Sequence, residues 1–119
     1  MHKMWITALL ALAMVFTPTP ASSAIQSNKP ETVIASWYAK GRMRNGQPFN
    51  YNALTAAHRH LPKGTRLLLT NVANGLKTVV TITDRGPWDK RRTLDVSLGA
   101  ARQLGMVRAG NAKVIMQIL

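Results

Sequence analysis

The sequence predicts a small all-β domain, six short strands with one short helix, closed or nearly closed into a barrel. Three observations carry that expectation. Short runs rich in β-branched and apolar residues recur along the chain, and Gly, Pro or Asn punctuate them. Two of these runs flank Ala73-Asn74-Gly75, whose Asn-Gly pair is the signal of a tight hairpin. A single segment, opened by Ser97, carries the marks of a helix.

Taken in order, Thr32–Ala39 (T-V-I-A-S-W-Y-A) has the composition of a strand buried on at least one face. The stretch 40–52 holds Gly41, Gly46, Pro48 and three asparagines, and reads as a long loop of the kind that carries function. Ala53–Ala57 is a short apolar piece leading to His58, with a turn at Leu61-Pro62-Lys63-Gly64. Arg66–Val72 and Leu76–Thr83 are the two hairpin strands. A basic loop, Lys90-Arg91-Arg92, precedes a short strand at Thr93–Val96. Ser97 is the expected N-cap of a helix reaching Leu104, Gly105 its stop, and Ala112–Leu119 the last strand.

A chain of 119 residues allows one domain at most. Residues 1–24 have the three-part pattern of an export signal: Lys3, an uncharged apolar run Met4–Phe16, and Ser22-Ser23-Ala24 as cleavage site. That apolar run is shorter than the ~20 residues of a membrane span, so no stable membrane insertion is expected after cleavage. The expected division is a signal peptide at 1–24, a polar tether at 25–31 and a barrel domain at 32–119. The expected destination is the periplasm or the medium. Cysteine is absent, which excludes disulfides, thiolate metal sites, a cysteine nucleophile and a lipidated cysteine. The net charge of +12 favours a polyanionic partner. For an exported protein that partner is the cell wall or a phosphorylated surface lipid rather than nucleic acid.

With 16 basic and 4 acidic residues, the place of each acid is informative. In Thr81-Ile82-Thr83-Asp84-Arg85-Gly86-Pro87, a β-branched run delivers Asp84 to a strand end just before a sharp turn. Such an Asp can fix its own turn by accepting backbone N–H bonds, or it can serve chemistry from a rigid scaffold. Glu31 lies in the lead segment, Asp89 reads as a solvated loop charge, and Asp95 is expected to bond backbone amides near the helix start.

Several further runs occur in order: Ala35-Ser36-Trp37-Tyr38, Asn52 to Arg59 (N-A-L-T-A-A-H-R), Leu61 to Thr65, Thr70 to Gly75, Asp84 to Pro87, Leu94 to Ser97, and Leu104-Gly105. Together, from about Val33 to Leu119, they resemble the RlpA-like (rare lipoprotein A) family. That resemblance implies a six-stranded double-psi β-barrel and an endolytic lytic transglycosylase of peptidoglycan. Such an enzyme cuts the MurNAc-β-1,4-GlcNAc bond and leaves a 1,6-anhydro end. The alternative it leaves open is a non-catalytic, expansin-like glycan-binding barrel.

The resemblance places the catalytic positions at Asp84, His58 and Gln47, the last where the family usually has Glu. An amide hydrogen-bonds but cannot shuttle a proton. Asn50 stands where an Asp is common. Neither the lipid-carrying cysteine nor the C-terminal glycan-binding repeat domain frequent in the family is found in this sequence. Candidates for substrate contact are Trp37, Tyr38, Asn45 and Arg85; alternation along the strand sends one of the two aromatics into the core. Arg42, Arg44, Lys90, Arg91 and Arg92 would line an anionic groove or merely solvate the surface. His58 and His60 could share a metal only with a further ligand, so neither metal nor cofactor is expected. The expected partner is the peptidoglycan glycan strand, met by a monomer, with cell-wall or division proteins of the septal ring as further candidates.

A catalytic Asp84 would need a raised pKa, which burial beside apolar groups provides.

Overall fold

The computed structural model describes residues 29–39 and 50–119. The expected signal peptide, most of the expected tether, and Arg42, Arg44, Asn45 and Gln47 lie outside those residues.

Six strands and one helix follow in the order β1 (Glu31–Tyr38), β2 (Thr55–Ala57), β3 (Arg66–Asn71), β4 (Lys77–Asp84), β5 (Leu94–Ser97), α1 (Leu98–Gln103) and β6 (Asn111–Ile118). They close into a barrel in the spatial order β1-β5-β2-β4-β3-β6. The pairs β1–β5 and β2–β4 are parallel and the other four antiparallel. This is the closed double-psi barrel that the sequence predicts. Closure leaves no free sheet edge.

Alternation sets the inner face. Along β4, Thr78, Val80 and Ile82 are buried while Val79, Thr81 and Thr83 are only partly covered. Val33 and Ala35 of β1, Leu67 and Leu69 of β3, Leu94 and Val96 of β5, and Val114 and Met116 of β6 complete the lining. Ala100, Ala101, Leu104 and Met106 join the same core from α1 and the turn after it.

Ser97 is both the last residue of β5 and the N-cap of α1, its hydroxyl accepting from the Ala100 N–H. The same hydroxyl donates to the Ala53 carbonyl at 2.6 Å and fixes the approach to β2. At the other end of α1, Leu104 is the C-cap and Gly105 takes the left-handed φ of +63° that ends the helix. The helix end is tied to the hairpin: Asn71 and Asn74 both donate side-chain N–H bonds to the Leu104 carbonyl, at 2.8 and 3.0 Å.

Every strand differs from the sequence reading by a residue or more at one end or both, and three differences stand out. β1 begins at Glu31, which pairs with Met116, so the strand takes in the end of the presumed tether. β2 covers only Thr55–Ala57 of the apolar piece. The β3–β4 turn is longer than a two-residue hairpin. Asn71 and Asn74 bond the N–H groups of Ala73 and Leu76 two residues on, and these side-chain turns hold the extra residues.

Candidate functional site

Two residues distant in sequence meet at one end of the parallel β2–β4 pair. Ala57 is in register with Asp84 after a bulge at Ala56/Ala57. The next N–H, that of His58, donates to the Asp84 carbonyl at 3.2 Å. Both side chains therefore start from one rung of the barrel, the His half-buried and the Asp exposed. A bulge beside such a site re-aims the residues that follow it.

The chemistry of His58 is set by its own loop. Its Nδ1 accepts two backbone bonds, from the N–H of His60 and of Leu61, each at 3.0 Å. An accepting Nδ1 leaves the proton on Nε2, so His58 is a neutral imidazole with one outward donor. Burial, then the neighbouring His60, Arg59 and Arg85, all lower its pKa and hold that state. The ring sits edge-on to His60 with centroids 6.2 Å apart. Among the described residues no group of three His, Asp or Glu is placed to hold a metal ion.

Asp84 does not have the apolar surroundings that the sequence reading required of an acid. It is exposed, and one carboxylate oxygen accepts the Arg85 N–H at 2.8 Å. The turn-fixing bond and the free second oxygen coexist on one side chain.

Arg85, a candidate for gripping substrate, spends its guanidinium on backbone. Its Nη1 donates to the carbonyls of Leu61 at 2.6 Å and His58 at 3.2 Å. It thereby shapes the loop that presents the imidazole.

The two aromatics of β1 divide as alternation requires. Trp37 packs against the core, and its Nε1 donates to the Val107 carbonyl at 3.1 Å. Tyr38 faces the other way, half-buried beside Thr55. Burial raises its pKa above the ordinary tyrosine value. The neighbouring Thr55 hydroxyl opposes that shift, and the carboxylates of Asp84 and Asp95 add to it. A protonated phenol is thus retained within the field of Asp84.

Asp95 does not bond backbone amides; Ser97 takes the capping role instead. Its carboxylate accepts from Arg92 Nη1 at 2.8 Å and from the Ser36 hydroxyl. Because strand pairing puts Ser36 of β1 beside Asp95, the acid lies on a strand face rather than over the helix start. Asp89 is paired rather than simply solvated: Arg91 donates to its two oxygens through Nε at 3.0 Å and Nη2 at 2.8 Å. Those bonds hold its pKa well below the usual carboxylate range. Of the basic loop, Lys90 and Arg91 are exposed, and Arg92 is built into the wall through Asp95 and Ser36.

Arg59 escaped the sequence reading. Its Nη1 donates to the carbonyls of Pro87 and Arg92, both at 2.7 Å. Nothing in its local sequence signals that, because both partners are main-chain atoms about thirty residues away.

Comparison with known proteins gives the family. The family described as lytic transglycolase matches residues 31–116. A probable endolytic peptidoglycan transglycosylase RlpA of Synechocystis is 44% identical over 118 residues, covering 96% of this chain and 37% of that protein. The endolytic peptidoglycan transglycosylase RlpA of Campylobacter jejuni is 43% identical over 90 residues, covering 72% of this chain and 33% of that protein. The chain thus spans roughly a third of the length of these curated relatives. Among solved structures, a Streptomyces papain inhibitor superposes with a TM-score of 0.63 at 18% identity, over 80% of this chain and 98% of that one. An expansin of Clavibacter michiganensis gives 0.61 at 20% identity, over 76% and 50% respectively. At such identities these two speak for the barrel alone. The match over 31–116 and the identity to the RlpA proteins establish that the chain belongs to the RlpA-like lytic transglycolase family of double-psi β-barrel proteins.

Proposed function

We propose that this domain is an endolytic peptidoglycan lytic transglycosylase that cuts the MurNAc-β-1,4-GlcNAc bond and leaves a 1,6-anhydroMurNAc end. The observation that carries the reading is the junction of β2 and β4, where the His58 N–H meets the Asp84 carbonyl at 3.2 Å. The two motifs that point to catalysis thus converge on one rung.

In this reading the protonated Asp84 gives its proton to the bridging oxygen as the C1–O bond of MurNAc breaks. GlcNAc leaves with a free 4-hydroxyl. The resulting carboxylate then takes the proton of the C6 hydroxyl while O6 bonds to C1, so the acid is restored and no water enters. One carboxylate serves both steps. Asp84 is exposed in the free domain, so the glycan itself displaces the water around the carboxyl when it binds.

The neutral His58 offers Nε2–H to a sugar oxygen, while Tyr38, whose hydroxyl oxygen is buried, backs the site from the neighbouring wall. Gln47 and Asn45 act on substrate as hydrogen-bonding amides, so Gln47 positions the glycan and does not move protons. The signal-like residues 1–24 direct the protein to the periplasm or beyond. Cell-wall and division proteins of the septal ring are the partner class that fits a peptidoglycan enzyme. No helix among the described residues is long and apolar enough to cross a membrane.

Digestion of purified sacculi, followed by mass spectrometry of the products, tests the proposal. Anhydro-muropeptides from wild type and none from Asp84→Asn are expected. A folded wild type that sediments with peptidoglycan yet releases no anhydro ends would make it an expansin-like binder.

A further inference from the structure

A glycan site needs an apolar face for a pyranose ring, and Trp37 cannot supply one because the core occupies it. We propose that Trp88 supplies it: its indole is a saccharide-stacking platform of the Asp84 site, held in place by the Arg59 guanidinium. This rests on reading the site as a glycan site.

Exposure is the first ground. Trp88 is 77% exposed, although Gly86 and Pro87 just before it are buried. Tryptophan is highly buried on average, so an indole left in water on a packed loop calls for a partner.

Anchoring is the second. The Pro87 and Arg92 carbonyls that Arg59 binds flank Trp88 on both sides, so one guanidinium ties the segment at both ends. Between those ends the Arg92 N–H donates to the Asp89 carbonyl at 3.0 Å and closes a turn. A platform held this way loses little freedom when a sugar lands on it.

Placement is the third. Arg59 directly follows His58, and Pro87 lies three residues after Asp84. The indole turns back toward that side: its Nε1 lies 3.9 Å from where a Cβ on Gly86 would stand. The chemistry then follows. The C–H face of a β-linked pyranose is apolar and packs on an aromatic face, and the indole N–H can donate to a hydroxyl or an N-acetyl carbonyl. Such a contact carries no net charge, so salt leaves it intact while it weakens any arginine contact with the wall.

The test is calorimetric titration of the full chain in the Asp84→Asn background, so that the probe is not consumed. The probes are peptide-free glycan strands from sacculi and the uncharged β-1,4 hexamer of N-acetylglucosamine. Trp88→Ala should raise Kd about tenfold for both probes, and Trp88→Phe about threefold or less. Arg59→Gln should raise Kd about fivefold through a disordered platform, with Arg59→Lys restoring part of the loss. Glycan should also shift tryptophan emission to the blue, and Trp88→Phe should abolish that shift.

A folded Trp88→Ala protein with unchanged Kd, or a blue shift that persists in Trp88→Phe, overturns the platform. Sacculus digestion with Asp84 intact keeps the two readings apart. Anhydro ends together with an unchanged Trp88→Ala affinity would remove the platform and leave the enzyme. An affinity that depends on Trp88, without anhydro ends, would leave the platform on a barrel that only binds.

Discussion

Replacing Gly99 with alanine sets two effects of known size against each other. Gly99 lies in α1, and alanine in a helix interior is favoured over glycine by about 1 kcal/mol. Propensity alone therefore predicts a stabilised protein. The structure predicts the reverse. A Cβ at Gly99 would stand 2.3 Å from the Asn52 carbonyl oxygen and 2.8 Å from its carbon, both backbone atoms that cannot swing aside. The Gly99 N–H also donates to the Tyr51 carbonyl at 2.8 Å, a bond that any retreat would stretch. Overpacking of this kind costs about 1–3 kcal/mol and a lost backbone bond about 0.5–1.5 kcal/mol. After the helix gain is subtracted, a loss of about 2 kcal/mol remains, or roughly 8–16 °C in Tm for a domain of this size. Because Asn52 lies just ahead of β2, which leads directly into His58, turnover should fall at temperatures where the variant is still folded. Thermal unfolding followed by circular dichroism, with anhydro-product release measured alongside, checks both. A Tm equal to or above that of wild type would refute the reasoning.

Other expectations are briefer. Arg92→Ala should destabilise by about 1–3 kcal/mol, because it strips a partner from the Asp95 carboxylate and the Ser36 hydroxyl; denaturant titration measures this. Arg91→Ala should leave stability nearly unchanged, since its ion pair with Asp89 is solvent-exposed, but should flatten the salt dependence of sedimentation with peptidoglycan. His58 has a folded pKa below its unfolded value, so the unfolded chain takes up the proton first as pH falls. The stability from the neutral imidazole is present above about pH 6.5 and is lost on acidification through the folded pKa; His58→Gln should flatten stability over that window. Gln47→Ala should lower anhydro-product release modestly and Gln47→Glu change it little. Cleavage that appears only in Gln47→Glu would contradict a positioning role.

The strands were legible because their lengths and alternation leave little choice. Val80 and Ile82 can point only inward once β4 is a strand, and the same rule sends Trp37 to the core and Tyr38 away from it. Ser97 and Gly105 were legible as helix punctuation for equally local reasons. Six short strands already pointed to a closed or nearly closed barrel, but its double-psi topology was not legible from periodicity, since the parallel pairing of Tyr38 with Ser97 joins distant residues, and came only with the family resemblance. Asp95 was misplaced because its sequence neighbour is a helix start, whereas its spatial neighbours are Ser36 and Arg92. Arg59 and Arg85 were opaque because their partners are carbonyl oxygens, which every residue has and no motif marks.

Those two arginines also bear on how this barrel could be re-engineered. The residue after His58 holds the loop that follows Asp84, and the residue after Asp84 holds the loop that follows His58. Each loop thus carries the fastening of the other. A graft of residues 84–92 alone into a foreign barrel would bring Arg85 but leave Arg59 behind, and a graft of 58–61 would do the opposite. Neither segment is a transferable module. The smallest unit that can be moved between barrels with its shape intact is the pair.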